Sequence, residues 1–170
     1  MKLSQNSHLI EDYYLHIQVS DNGQGISQEE LEKIESPSGV NIVYGGRQLG
    51  KSALLKKAKM DIDFDENNNR AVYIEIKGMD YERAAKKICC ELYDAGVLKE
   101  EIDTTDWDVL ARAIKKRLLD DKEERIPYLL LLLDEADTFI ESCTEVNFKP
   151  FDALKEIQNI GMDRFKFVIA

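Results

Sequence analysis

Apolar and polar residues fall in blocks along the chain, and the blocks switch between the period of a strand and that of a helix. Val40–Tyr44 (VNIVY) reads as a buried strand, and KSALLKKAKM, from Lys51 onward, reads as a helix. A polar loop, DENNN, leads into a second strand, AVYIEIK, over Ala71–Lys77. DYERAAKKICCELYDAG has helical spacing and is closed by Gly96, and DWDVLARAIKKRLLDD sets Trp107, Leu110, Ile114 and Leu118 near one face of another helix. PYLLLLLD is a third strand, too apolar for anything but a central place in a sheet. KPFDALKEIQNIG is a helix ending at Gly161, and RFKFVIA begins a fourth strand. Strand–helix alternation of this kind predicts an α/β fold, a mainly parallel sheet with helices on both faces.

Residues 1–38 form a lead-in to this pattern: a β-like YYLHIQV, a turn SDNGQG, a short helix SQEELEKIE and a break at SPSG. Ser27 followed by Glu30 is a capping box, so the helix start is well marked. Residues 39–170 form the core. The sequence reaches Ala170 inside an apolar strand, and a half-built strand leaves backbone groups unpaired. We therefore expect the front portion of a longer protein, with the core incomplete in its fourth strand.

Composition narrows the function classes. A net charge of −10 repels polyanions at long range and argues against a nucleic-acid clamp. The cationic groups Lys56, Lys57 and Lys59, and Lys115, Lys116 and Arg117, read as solvated helix faces. The longest apolar run, Leu129–Leu133, is too short to span a bilayer, and the first residues hold no apolar signal core. No membrane association and a cytoplasmic location are expected. Three cysteines, two of them adjacent (Cys89 and Cys90, with Cys143), make neither a disulfide framework nor a zinc site, and the adjacent pair reads as semi-buried apolar residues. His8 and His16 are isolated and carry no chemistry.

Two stretches do carry it. Gly45, Gly46, Arg47, Gln48, Leu49, Gly50, Lys51 and Ser52 satisfy G-x-x-x-x-G-K-[ST], with a strand before and a helix after. That context aims backbone N–H groups and a helix N-terminus at a phosphate. Gly45 and Gly50 permit backbone conformations and close approaches that a Cβ would obstruct. Lys51 would reach the β- and γ-phosphates, and the Ser52 hydroxyl would ligate Mg²⁺. Farther on, LLLLLDEADTFI ends a central strand in Asp134 and Glu135, at the edge where open α/β sheets bind ligands. Asp134 suits a Mg²⁺ contact, Glu135 the base that polarises an attacking water, and Asp137 a solvated helix start.

VYGGRQLGKSALL, LLLLLDEADTFI and FKFVIA, in that order, resemble the P-loop ATPases of the AAA+ and STAND kind, especially prokaryotic ATPases of signalling and defence proteins. They are also similar to the related replication initiators and transposition regulators. The resemblance covers roughly residues 27–170. It implies a three-layer αβα P-loop NTPase core with strands in the order five-one-four-three-two. It also implies ATP and Mg²⁺ as cofactors, phosphate binding by Gly45, Gly46, Gly50, Lys51 and Ser52, and Mg²⁺ and water activation by Asp134 and Glu135. Strand five, the sensor residue, an arginine finger and the helical lid would follow Ala170, and self-association or a partner protein would engage through those regions. Arg164 precedes its strand and is expected to be solvated.

An earlier stretch, VSDNGQGISQEELEKI (Val19–Ile34), looks like the glycine box of gyrase- and histidine-kinase-type ATPases. That site needs an asparagine-bearing helix well upstream, and the residues before Asp21 read as a strand. Asp21, Gly23 and Gly25 are better explained as a turn. In the AAA+ and STAND relatives the segment before the first strand often lines the adenine pocket, which would give Ile26 a place against the base; a plain structural lead-in is the alternative. The function expected is an ATP-binding, Mg²⁺-dependent NTPase acting as a conformational or assembly switch. A nucleotide-gated interaction module with negligible turnover and the ATPase of a DNA-associated regulator are the alternatives. The absence of a guanine-reading N-K-x-D motif favours ATP.

Overall fold

The segments predicted as strands assemble side by side into one sheet. The computed structural model describes residues 15–18, 28–35, 41–44, 50–63, 67–119, 126–161 and 163–170. Among these, the strands are β1 (Leu15–Gln18), β2 (Asn41–Tyr44), β3 (Arg70–Glu75), β4 (Leu129–Asp134) and β5 (Phe165–Ile169). They pair in the order β1-β2-β5-β4-β3, every pair parallel. The order from β2 to β3 is the one-four-three-two that the resemblance implies, and β1 stands on the far side of β2. All six residues of β4 and all five of β5 are buried, as strands covered on both faces should be.

Among the described residues six α-helices cover the sheet: α1 (Gln28–Glu35), α2 (Lys51–Asp63), α3 (Tyr81–Asp94), α4 (Trp107–Leu119), α5 (Asp137–Cys143) and α6 (Lys149–Gly161). α1 and α2 pack on one face through Leu31, Ile34, Leu54, Leu55 and Ala58. The other four close the opposite face around Ile88, Leu110, Phe139 and Ile157. The segment between the two motifs thus has a clear structural task, since α3 and α4 supply much of the larger core. Trp107, Leu110, Ile114 and Leu118 are all buried there, as their spacing predicts. The strand and helix of the lead-in join the same sheet and the same core.

Local chemistry sets the boundaries. Asp80 caps α3, its side chain accepting from the Arg83 N–H at 2.8 Å. Gly96, at φ +68°, ends it, and the following Val97 N–H returns to the Leu92 carbonyl at 2.8 Å. Asp106 does for α4 what Asp80 does for α3, accepting from the Asp108 N–H at 2.8 Å. Ser27, expected to cap α1, lies outside the described residues. Two expectations change. Cys89 and Cys143 are buried, but Cys90 is exposed and faces Asp94, because it falls on the solvent side of an amphipathic helix. Arg164 is half-buried and donates to the Leu118 carbonyl at 3.3 Å, tying the entry of β5 to the end of α4.

The cationic clusters are spent locally. Lys57 pairs with Asp61 at 2.5 Å, Lys59 with Asp63, and Lys115 with Glu156 at 2.5 Å. Arg117 donates to the Val97 carbonyl at 2.9 Å. No described helix is long and apolar enough to cross a membrane.

Candidate functional site

Because every strand is parallel, all their carboxyl ends emerge at one edge of the sheet. α2 follows β2, so its first turn lies at that edge, together with the end of β4. Residues far apart in sequence are thereby brought to one cleft of about 810 Å³, lined by Gly50, Lys51 and Ser52, by Asp134 and Glu135, and by Lys77 and Gly78 beyond β3. The volume is within the range of small-molecule sites. Asp137 and Thr138, at the start of α5, complete one wall, and Ala170 another.

At the entry to α2, Gly50 has φ +85°, and its carbonyl accepts the first helical bond, from the Leu54 N–H at 2.8 Å. A Cβ placed on Gly50 would meet nothing within 4 Å. The glycine is required here by its left-handed backbone. Gly45, Gly46, Arg47, Gln48 and Leu49 lie outside the described residues.

Side-chain alternation decides what faces the cleft. Val72 and Ile74 of β3, and Leu131 and Leu133 of β4, point to the α3–α6 face. Tyr73 and Asp134 therefore share the α2 face, on neighbouring strands. The Tyr73 phenol donates to Asp134 Oδ2 at 2.5 Å, and the Glu135 N–H donates to Asp134 Oδ1 at 3.0 Å. Asp134 is only 3% exposed, so these bonds answer the need of a buried carboxylate for partners on both oxygens. Burial and then the Asp134 carboxylate push the Tyr73 hydroxyl well above its ordinary range, which keeps it a proton donor. Ser52 acts in the opposite sense on the same phenol. Lys56 Nζ lies over the Tyr73 ring, 5.2 Å from its centroid.

Glu135 differs from its neighbour. Its backbone is left-handed, at φ +57°, a conformation that costs a residue with a Cβ on the order of 1 kcal/mol. The turn is pinned on either side: the Ile76 N–H reaches the Asp134 carbonyl and the Ala136 N–H reaches the Ala170 carbonyl, both at 2.9 Å. The Glu135 side chain is exposed, with one oxygen 3.9 Å from Lys77 Nζ. A carboxylate carried on a strained, over-determined turn at the rim of a cleft is aimed by its backbone rather than by side-chain packing.

The structure therefore brings together Gly50, Lys51, Ser52, Asp134 and Glu135. Tyr73 and Lys77 join them without having been singled out in the sequence. Tyr73 is legible afterwards as the one polar side chain among the apolar positions of β3, on the same parity as Asp134; Lys77 had no signal beyond its position after the strand. Among the described residues no cluster of three or more His, Cys, Asp and Glu exists to hold a metal unaided. The Ser52 hydroxyl and the Asp134 carboxylate, lining one cleft, are hard oxygens of the kind Mg²⁺ takes from a protein when phosphate and water complete its shell. The two buried thiols are inert: burial pushes Cys89 up to about 11 and Cys143 to about 12. A comparison with protein-family models finds no match for this chain, and a comparison with curated proteins finds none either.

Proposed function

We propose that the chain is an ATP-binding, Mg²⁺-dependent P-loop NTPase module of AAA+/STAND type that hydrolyses ATP to drive a conformational or assembly switch. The observation that carries this reading is the meeting of Lys51 and Ser52, at the head of a helix leaving the sheet, with Asp134 and Glu135 in one cleft at the sheet's carboxyl edge. The N-terminus of α2 favours an anion, and Lys51 adds a full positive charge beside it. Ser52 and Asp134 would hold Mg²⁺, which when bound neutralises phosphate charge. Glu135, on its strained turn, would accept the proton of the attacking water. Catalysis of this kind consists mostly of positioning and charge stabilisation. The three free thiols suit a reducing compartment, and we place the protein in the cytoplasm.

A second reading, a nucleotide-gated interaction module with negligible turnover, draws on Glu135 lying 3.9 Å from Lys77, a partner that competes for the carboxylate. One experiment separates the two. Titration with a fluorescent ATP analogue and Mg²⁺ should show saturable binding that Lys51→Ala weakens by about a hundredfold, the loss of a charge-assisted phosphate contact. Phosphate release that disappears in Glu135→Gln while binding persists makes the protein an ATPase. Binding without release favours the gated module, and absence of binding in a folded sample refutes both.

A further inference from the structure

Beside a residue expected to hold the cation stands one that the motifs do not contain. The Tyr73 phenol donates to Asp134 Oδ2 at 2.5 Å, from β3 to the neighbouring β4. The Asp134 carboxylate can only accept, so the proton of this bond belongs to the phenol. Asp134 has Oδ2 held by Tyr73 and Oδ1 held by the Glu135 N–H, which fixes the plane of the carboxylate while leaving each oxygen a further lone pair. Tyr73 is itself fixed, its ring packed against the α2-side core and beneath Lys56.

We propose that Tyr73 is a positioning residue that presets Asp134 for a divalent cation, its phenol orienting the carboxylate before nucleotide arrives. The inference rests on the reading of the cleft as a Mg²⁺–nucleotide site and adds to it a residue that neither motif contains. Outer partners that orient metal ligands typically change metal affinity ten- to a hundredfold when removed.

The test is Tyr73→Phe, which keeps the ring and deletes only the hydroxyl. Binding of the fluorescent ATP analogue is measured twice, in EDTA and across a Mg²⁺ titration, with thermal unfolding followed alongside. The expected result is a Mg²⁺ half-saturation raised about tenfold or more, with affinity in EDTA equal to that of the wild type. Tyr73→His, whose ring is too short to reach Asp134 as the phenol does, should shift the midpoint in the same direction and serves if the phenylalanine variant does not fold. An unchanged midpoint overturns the proposal while leaving the nucleotide reading intact. A lowered midpoint also overturns it, since the phenol would then obstruct the cation. Equal losses with and without Mg²⁺ reduce Tyr73 to a packing residue. A folded wild-type chain that binds no nucleotide under either condition removes this role of Tyr73 together with the reading on which it rests.

Discussion

The two faces of the sheet are made of different material, and β5 shows the contrast within five residues. Phe165, Phe167 and Ile169 point toward α3–α6, into a layer where Trp107, Phe139, Phe151 and Phe167 follow one another with ring centroids 5.6–6.4 Å apart. The Trp107 indole N–H there reaches the Tyr81 carbonyl at 2.9 Å, so even its polar atom is satisfied within the layer. Lys166 and Val168 point the other way, toward α1 and α2. On that side Lys166 donates to the Lys33 carbonyl, Tyr128 donates to the Glu35 carbonyl at 3.2 Å, and Tyr73 and Asp134 lead out into the cleft. Both long-range bonds to α1 fall on its last turn, where helix carbonyls lack intrahelical donors. One face holds the fold together by area. The other is smaller, holds a helix by a few polar bonds, and borders the cleft.

The comparison breaks first if the aromatic layer is not the chief source of stability. Phe139 is fully buried between Trp107 and Phe151, and Phe139→Ala should cost about 3–5 kcal/mol in urea unfolding. A loss under about 1 kcal/mol would mean that the layer collapses around the gap and that its packing is not tight.

A smaller effect, with a distinctive pH dependence, is expected at Lys166. Burial lowers its ammonium from the ordinary 10.5 to about 8. Between those values the unfolded chain holds a proton that the folded chain has released, so stability from this site rises with pH across the interval. Below about pH 8 the folded protein bears the cost of a buried charge. The gain is at most ~3 kcal/mol. Other groups titrate in the same range, so the measurement is a difference: unfolding free energies of wild type and Lys166→Met from pH 7 to 10.5. The wild type should gain on the variant as pH rises, and parallel profiles would show that Lys166 reaches water.

These two faces were not equally legible in the sequence. The apolar blocks announced the strands and helices almost residue by residue, with α6 beginning at Lys149 and ending at Gly161 as its pattern predicts. The lysine loop and the strand-end acids could be read because their chemistry demands residue types at fixed spacing, and the parallel sheet then required them to meet. Tyr73 and Lys166 gave no such signal. Each is a polar residue flanked by apolar ones in a strand, and its partner depends on register: Tyr73 lies opposite Leu132, two residues short of Asp134, a juxtaposition created only when β3 and β4 pair. The left-handed backbone of Glu135 was hidden for a related reason, because glycine usually marks such a turn and here a network of hydrogen bonds enforces it instead.

The smallest effect tests how well the α1 side is satisfied. Glu35 closes α1 with one carboxyl oxygen buried and unpartnered, and burial, followed by the charge of Asp61, raises its carboxyl above the ordinary 4.5. Lys57 opposes this but does not reverse it. The unfolded chain loses the Glu35 proton first, so stability falls as pH rises through the raised value and the full penalty is present at neutral pH. Glu35→Gln removes the titration while leaving the backbone carbonyl that Tyr128 uses. Because the side chain is only partly buried, solvent screens the interaction, and the variant should be more stable than the wild type at pH 7 by a few tenths of a kcal/mol. That corresponds to a rise in melting temperature of about 1 °C for a chain of this size, and the difference should vanish near pH 4. A variant less stable than wild type at pH 7 but not near pH 4 would show that the Glu35 carboxylate binds something on the α1 side, and that this face is better satisfied than its buried oxygen implies.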